Sequence, residues 1–461
     1  MTKRSSRFYS RRDWLAGAIT GVVAFAGYVW TLAPSVTLEE SGELVTAAHG
    51  LGVSRPPGYP IWTIVAWIWS HIIPFGNIAW RLNLMSAFFG ALACGLLALL
   101  VSNSGRTICG RVRFFRADMK QREVDLVVLS SSICAGLLLA FSPALWSQTV
   151  ITEVYGLNAF LLVVTLVVLY RWSAEPEKRG RLYLTAFVWG VALTAHQTLL
   201  LLIVALPMFV WLTDRKLGRD LLVPLLLAII GLILWTAFQP GGRFHEGAFS
   251  ATVLSAIGLG CVIWLYFLWR EGPALMQQWR QVLAVYGAVL LGLALYGYLF
   301  LAASTNPPMN WGYCSRWESF LRHFLDSQFD RIHIERSALQ LWGQIDLLIN
   351  DLLAQFNLVF TTLALLILFL FQDLDARDRN WMKFLAASFL CLGLGFILLS
   401  NPSFEKQKQF TDRVFFVPGH CLYALGIGYG LMLGLLYVFS KKPAWQPAAA
   451  VTAVVVLLLP T

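Results

Sequence analysis

Apolar runs about as long as a bilayer core is thick recur along the whole chain, and they leave few folds open to it. A transmembrane helix needs roughly 20 apolar residues. Stretches of about that character fall at 14–33, 81–102, 126–143, 156–171, 182–195, 198–213, 221–238, 250–269, 281–302, 352–372, 382–400, 413–439 and 446–460. Only 13% of the 461 residues are charged and 58% are hydrophobic, against about one-quarter charged in soluble proteins. Backbone polar groups inside lipid must be satisfied within a helix or a closed barrel. The expected fold is therefore an all-α, polytopic membrane bundle of about 12–13 helices. Segments 182–195 and 198–213 are short and separated by His196 and Gln197, so one of them is expected to be tilted or broken. The Trp-rich stretch 58–73 is also short and is read as a helix lying in the interface.

Basic residues set the orientation. With the N-terminus cytoplasmic, 25 of the 35 Lys and Arg residues fall in inside loops and 10 on the other side, in line with the positive-inside tendency. Residues 34–80, 144–155, 239–249, 303–351 and 401–412 then share one external face. The net charge of +10 is thereby assigned to membrane topology, and no nucleic-acid partner is expected. The run "MTKRSSRFYSRR" before the first apolar stretch lacks a convincing small-residue cleavage site, so it reads as leading into a retained helix. Five of the seven cysteines lie in or beside apolar spans and Cys314 sits in a polar loop; no disulfide framework is expected. No Asn-x-Ser/Thr acceptor occurs, which favours a bacterial plasma membrane over the endoplasmic reticulum.

Against this background the segment "TLEESGELVTAAHG" (37–50) stands out, with Glu39, Glu40 and Glu43 at a membrane edge. Thr37 and Glu40 have the spacing of a capping box, which accounts for Glu40 alone. On a helix beginning near Leu38, Glu40 and Glu43 share a face, and Gly50 and Gly52 supply a stop. Two carboxylates on one face of an interfacial helix suit a general base. Arg55 in "SRPPGYP" can hold a phosphate-like anion or pair with Glu40 or Glu43. Glu153 and Tyr155 precede a span on the same face, and taken alone they read as interfacial anchors. His196 is an ionisable group at an external break, either a functional group or a core histidine bonded to backbone. In the 303–351 loop, helical spacing sets in from Trp317, and Arg316, Arg322 and His323 can meet a lipid phosphate or an acceptor protein. Asp412 and Arg413 are a candidate local ion pair. His323 and His333 are too far apart to claim as a metal pair, and no HExxH or CxxC pattern is present, so no metal ligands are assigned and metal dependence is left open. Phosphate-cradling glycine loops are also absent, which disfavours a nucleotide-driven pump.

The stretch "LAPSVTLEESGELVTAAHGLGVSRPPGYPIWTIVAWI" resembles the N-terminal signature of a family of GT-C-type membrane glycosyltransferases. That family includes the eukaryotic transmembrane O-mannosyltransferase of plexin- and Met-type receptor domains, and many bacterial relatives. Its pattern runs close to D-S-G-E-L and then A-x-x-L-G-V-x-H-P-P-G-Y-P. Here it reads Glu40-Ser41-Gly42-Glu43-Leu44, then Leu51-Gly52-Val53 and Arg55-Pro56-Pro57-Gly58-Tyr59-Pro60. "AWRLNLMSAFFGAL", "WSQTVITEVYGLN", "GVALTAHQT", "NPPMNWG" and "RVFFVPGH" are similar to it too; the match is dense to about residue 200 and patchy beyond. In two places the chain departs: the family's Asp is Glu40, and its His is Arg55, a cation that does not titrate near neutrality.

The resemblance implies an inverting transfer of a sugar, mannose by likeness, from a polyprenyl-phosphate donor to a hydroxyl acceptor such as protein Ser/Thr. It implies Glu40 as base with Glu43 as its rival, and Arg55 and His196 at the donor phosphate. Glu153, Tyr155, Asn310, Trp311, Arg316 and Arg413 are then candidate contacts to donor or acceptor. Residues 1–240, with the external loop 34–80, would form the catalytic module, and residues 241–461, with the loop 303–351, a C-terminal one. A secondary transporter or lipid-linked-sugar flippase, or an inactive scaffold descended from such an enzyme, are the alternatives. A transporter would place ionisable groups near mid-membrane and show repeat symmetry, and neither is visible.

Overall fold

The computed structural model describes residues 8–37, 39–110, 121–238, 248–270, 276–329, 337–369, 371–405, 409 and 412–441. Among them every regular element is a helix, apart from one isolated parallel bridge between Val53 and Asn310. Nine described helices are long and apolar enough to span a membrane, and two apolar helices are shorter, Gln197–Thr213 and Leu254–Arg270. The expected span at 446–460 lies outside the described residues. The chain is an integral membrane protein, all-α and polytopic.

Helix α1 (Arg11–Trp30) starts on a capping box in which Ser10 and Asp13 satisfy each other's backbone N–H groups. Asp13 is fully buried, which an ion pair with Arg106 and a 2.7 Å hydrogen bond from Ser102 Oγ make tolerable. Both partners sit on α4 (Ile78–Cys109), the 32-residue helix at the centre of the N-terminal bundle. The two helices approach closely because glycine faces glycine: a Cβ on Gly95 would lie 2.8 Å from the Gly17 carbonyl oxygen. Small residues at such a crossing are the usual means of tight packing in lipid, where no hydrophobic drive joins helices.

Between them lie two short helices, α2 (Ser41–His49) and α3 (Pro60–Ile72). At 13 residues α3 is too short to span, and its buried face of Trp62, Thr63, Ala66 and Ser70 opposes exposed Ile68 and Ile72, the one-sided character expected of it. Helices α5 (Gln121–Ala140), α6 (Pro143–Thr149), α7 (Tyr155–Ala174) and α8 (Arg179–Ala195) follow. The path then breaks at His196 into a 3-10 turn (Gln197–Ile203) and α9 (Ala205–Thr213), as the short apolar segments foretold. The second half contains α10 (Arg215–Phe238), α11 (Ala248–Arg270), α12 (Trp279–Leu293), α13 (Gly297–Ser304) and α14 (Trp317–Phe329). It continues with α15 (Ala338–Leu363), α16 (Leu366–Phe369), α17 (Ala376–Leu390), α18 (Phe396–Ser400) and α19 (Val417–Lys441).

One local expectation fails. The helix carrying the carboxylates begins at Ser41 rather than near Leu38, and Glu40 is its N-cap without a side-chain capping bond. Thr37 thus lies outside the N-cap position of this helix, and the Glu40 side chain pairs with Arg55. The stop at Gly50 holds: its N–H donates to the Thr46 carbonyl, and Gly52 N–H closes the turn on Ala47 O at 2.8 Å.

Candidate active site around Glu40, Glu43 and Arg55

Asn83 on α4 fixes the chain leaving α1, its Nδ2 donating to the carbonyls of Ala33 (2.8 Å) and Ser35 (3.1 Å). Glu39 then adopts a left-handed φ of +68°, an uncommon state for a residue with a Cβ. Backbone strain of this kind persists where the surroundings over-determine it. Gln148 on α6 reaches the Glu39 carboxylate at 3.4 Å, a weak hold. After α2, the turn at 50–54 brings Arg55 back onto the start of that helix.

Arg55 unites the two carboxylates. Its backbone N donates to Glu43 Oε1 at 2.5 Å, its Nε to Glu43 Oε2 at 3.0 Å, and its Nη2 lies 3.0 Å from the same oxygen. Its Nη1 pairs with Glu40. The two acids are not equivalent. Glu43's side chain is 12% exposed and bound along the near edge of the guanidinium, while Glu40's is 34% exposed and meets its outer end. Burial works against the charge on Arg55, but the Glu43 hydrogen bonds and the nearby Glu40 outweigh it and raise its pKa. Of the two readings left open for Arg55, pairing is the one realised in this structure.

Beneath this loop lies a layer that short-range sequence logic did not assemble. Glu153 and Tyr155 are buried rather than interfacial anchors. Packing from α3 and α4 encloses them: Trp62 Nε1 and Ser86 Oγ each donate to the Glu153 carbonyl at 3.2 Å, and Glu153 N–H donates to Ser86 Oγ at 3.3 Å. The backbone is pinned, yet side-chain Oε1 is buried with no hydrogen-bond partner. Such a group in a folded interior calls for an explanation. Burial first, and then the charges of Glu40 and Glu39, push the Glu153 pKa up to about 8, so this carboxyl carries a proton at neutral pH.

His196 sits in an aromatic box, with ring centroids 5.3 Å from Tyr155, 5.7 Å from Phe415 and 5.9 Å from a stacked Tyr59. Thr198 N–H donates to His196 Nδ1 at 3.2 Å, which puts the proton of the neutral ring on Nε2. Burial lowers its pKa to about 4. The group expected to attract phosphate as a cation is therefore neutral and offers one N–H. Its bond to the Thr198 backbone also realises the core-histidine reading.

The segment after α13 packs against the loop that carries Arg55. Val53 N–H donates to Met309 O at 2.8 Å and Trp311 N–H to Val53 O at 2.9 Å, while Tyr298 OH donates to Gly52 O at 2.9 Å. Asn310 thus lies against the carboxylate loop, with Trp311 half exposed beside it. Arg316 is exposed at the head of α14. His323, expected to meet lipid phosphate, is 3% exposed: a Cβ on Gly312 would fall 2.5 Å from its Nδ1, and one on Gly58 3.2 Å from its Nε2. Burial lowers its pKa to about 4, against a smaller opposing pull from the Ser54 backbone. The turn Arg413–Phe416 joins the site through Phe415. Tyr59 and Gln148 were not singled out from sequence; Tyr59 lies within the quoted "RPPGYP" run, and nothing local marks Gln148. Among the described residues no three His, Cys, Asp or Glu side chains are placed to hold a metal.

Comparison with known proteins bears on this assembly. Residues 40–218 match the model of the N-terminal domain of protein O-mannosyl-transferase TMEM260. The resemblance to membrane O-mannosyltransferases stands. The matched range opens on Glu40 and takes in Glu43, Arg55, Glu153 and His196. Over 250 residues, 51% of this chain, the sequence is 32% identical to mouse protein O-mannosyl-transferase TMEM260 and covers 32% of that protein. It is 24% identical to the Dictyostelium discoideum protein of that name over 88% of this chain and 43% of the relative. The chain thus spans less than half the length of the curated relatives it matches. Among solved structures, ArnT from Cupriavidus metallidurans bound to undecaprenyl phosphate aligns over 92% of this chain and 61% of its own, at 14% identity and a TM-score of 0.47.

A pH experiment tests the state of Glu153. Its folded pKa of about 8 lies above the ordinary 4.5, so the folded state holds the extra proton and stability is full below the lower value. That contribution is lost as pH rises through the higher one. Thermal unfolding in detergent should therefore show the wild type losing stability across this window. Glu153→Gln, which keeps the shape without titrating, should lose less, and parallel curves would contradict a buried protonated acid.

Proposed function

We propose that the protein transfers a sugar from a polyprenyl-phosphate donor to a hydroxyl acceptor with inversion, on the membrane face that carries the first external loop. The observation that carries this reading is the unequal pair of carboxylates on Arg55: one 12% exposed and committed, the other 34% exposed. An inverting glycosidase needs two carboxyl groups because its leaving alkoxide must be protonated. A phosphate departs without a proton, so one base suffices. Glu40 is that base, taking the proton of the acceptor hydroxyl as the oxygen attacks the anomeric carbon. Glu43 positions Arg55 and is not itself the base, since its oxygens are occupied by the Arg55 backbone and guanidinium. Arg55 and the Nε2–H of His196 are the donors that face the phosphate, where preorganised hydrogen bonds act on developing charge.

The sugar is mannose and the acceptor a protein Ser/Thr by likeness to the relatives' names, and Asn310, Trp311, Arg316 and Arg413 lie on segments that border the acceptor path. The isoprenoid tail lies between spans; an apolar cavity bounded by Leu182, Trp189, Leu193, Pro207, Leu225 and Val289 offers it room. Residues 1–240 form the catalytic module and 241–461 a second module that lends its 303–351 loop to the site. The N-terminus is cytoplasmic and the membrane a bacterial plasma membrane.

Proteoliposomes supplied with labelled polyprenyl-phosphate mannose and a Ser/Thr-rich peptide test this. Labelled peptide should accumulate with release of polyprenyl phosphate. Failure of the wild type to move any sugar from a polyprenyl-phosphate series to peptide or glycan would remove the proposal in favour of a scaffold.

A further inference from the structure

We propose that the outer end of Arg55 is a phosphate subsite which Glu40 occupies until the donor arrives, so that binding of the lipid phosphate itself frees the base. The proposal deepens the reading of Glu40 as base and rests on it. Its ground is geometric. Glu43 holds Arg55 by backbone N, Nε and Nη2, from a side chain only 12% exposed. That hold fixes the guanidinium plane whatever its far end does. Nη1 meets Glu40, whose side chain is 34% exposed on the open side of the loop. A half-exposed ion pair is worth only about 1.5- to 5-fold in an equilibrium constant. A phosphate offers the guanidinium fork several acceptor oxygens in the geometry it suits best. A carboxylate held there is a stand-in for that anion. It is also a poor base while it stays, because the guanidinium engages the oxygen that would take the proton.

The charges of the surrounding wall agree. Glu39, Glu40 and Glu43 oppose one Arg55, and a proton on Glu153 spares the approaching phosphate a fourth negative charge. The donor is a phosphodiester with one negative charge; the product monoester carries about −1.5 to −2.

The cycle balances. The donor phosphate takes Nη1, and Glu40 swings to the acceptor. The acceptor oxygen bonds to the anomeric carbon while its proton passes to Glu40. The bond from that carbon to phosphate oxygen breaks, with the electron pair leaving on the phosphate. A protonated Glu40 cannot compete for Arg55, so the product phosphate stays until Glu40 gives its proton to water. The restored carboxylate then competes for Nη1, which weakens the hold on the product.

Binding affinity tests this without reliance on turnover. Dissociation constants of polyprenyl phosphate would be measured for the detergent-solubilised full chain as wild type, Glu40→Gln, Arg55→Gln and the double variant. Glu40→Ala and Arg55→Lys serve as second variants, and thermal unfolding checks the fold. Removing the competitor should tighten binding by about 1.5- to 5-fold. Arg55→Gln should weaken it by about ten- to a hundredfold, the worth of a charge-assisted hydrogen bond, and should abolish the effect of Glu40→Gln. The same ordering with inorganic phosphate would assign the subsite to the phosphate group itself. An ordering seen only with the lipid would assign it to the lipid headgroup, and either result supports exchange on Arg55. Glu40→Gln that weakens binding or leaves it unchanged, Arg55→Gln that binds like the wild type, or no binding by any form overturns the proposal. Should the ordering hold while no sugar is transferred, the subsite stands and the transferase reading falls.

Discussion

Glu40→Gln is expected to lower the turnover of sugar transfer by about 10²–10⁴, the worth of a general base. Thermal stability should change by no more than about 1 kcal/mol, because the ion pair it gives up is half exposed. The asymmetry across Arg55 makes the contrast with Glu43→Gln informative. Glu43 accepts from the Arg55 backbone as well as its side chain, so its loss loosens the turn that carries Arg55 and should depress stability and donor affinity together. Transfer assays and unfolding curves on both variants separate a base from a positioning group. Equal turnover in Glu40→Gln and wild type would remove Glu40 from the chemistry.

Gly52→Ala should be nearly as damaging to transfer without touching any charged group. A Cβ at Gly52 would fall 2.3 Å from the Met309 carbonyl oxygen, which is backbone and cannot swing aside. The strands of chain holding Val53 against Asn310 must then separate, and the Tyr298 bond to Gly52 O must stretch with them. Overpacking of this kind costs about 1–3 kcal/mol. Arg55 lies three residues on, and a displacement of about 1 Å at a reacting centre can cost about 10²-fold in rate. Transfer by Gly52→Ala at wild-type level would show that the segment around Met309 and Asn310 is no part of the site.

The parts of the molecule legible in the sequence are those governed by local spacing. The apolar runs specified helices, the separation of two short runs at His196 specified a break, and Glu40, Glu43 and Arg55 lie within 16 residues, so a single helix and turn bring them together. Even there the detail differed, because the helix begins at Ser41 and not near Leu38. The buried layer was not legible. Glu153, His196 and Tyr59 are far apart in sequence and meet only through the packing of α3, α7 and α8. An acid followed by Tyr at a helix start has the look of an interfacial anchor until that packing is known. His323 was recoverable in principle: Phe320, His323 and Phe324 are spaced i, i+3, i+4 on α14, and the two phenylalanines mark the buried face to which the histidine belongs. Its charge-bearing name outweighed its periodicity.

The most direct measurement is a structure of the protein with a polyprenyl-phosphate sugar bound. The account predicts the phosphate on Arg55 Nη1, with Glu43 still holding Nε, and Glu40 released to the acceptor side of the anomeric carbon, in reach of the incoming hydroxyl. A donor seated with its phosphate away from Arg55, while Glu40 keeps its pairing and no carboxylate faces the anomeric carbon, would contradict it.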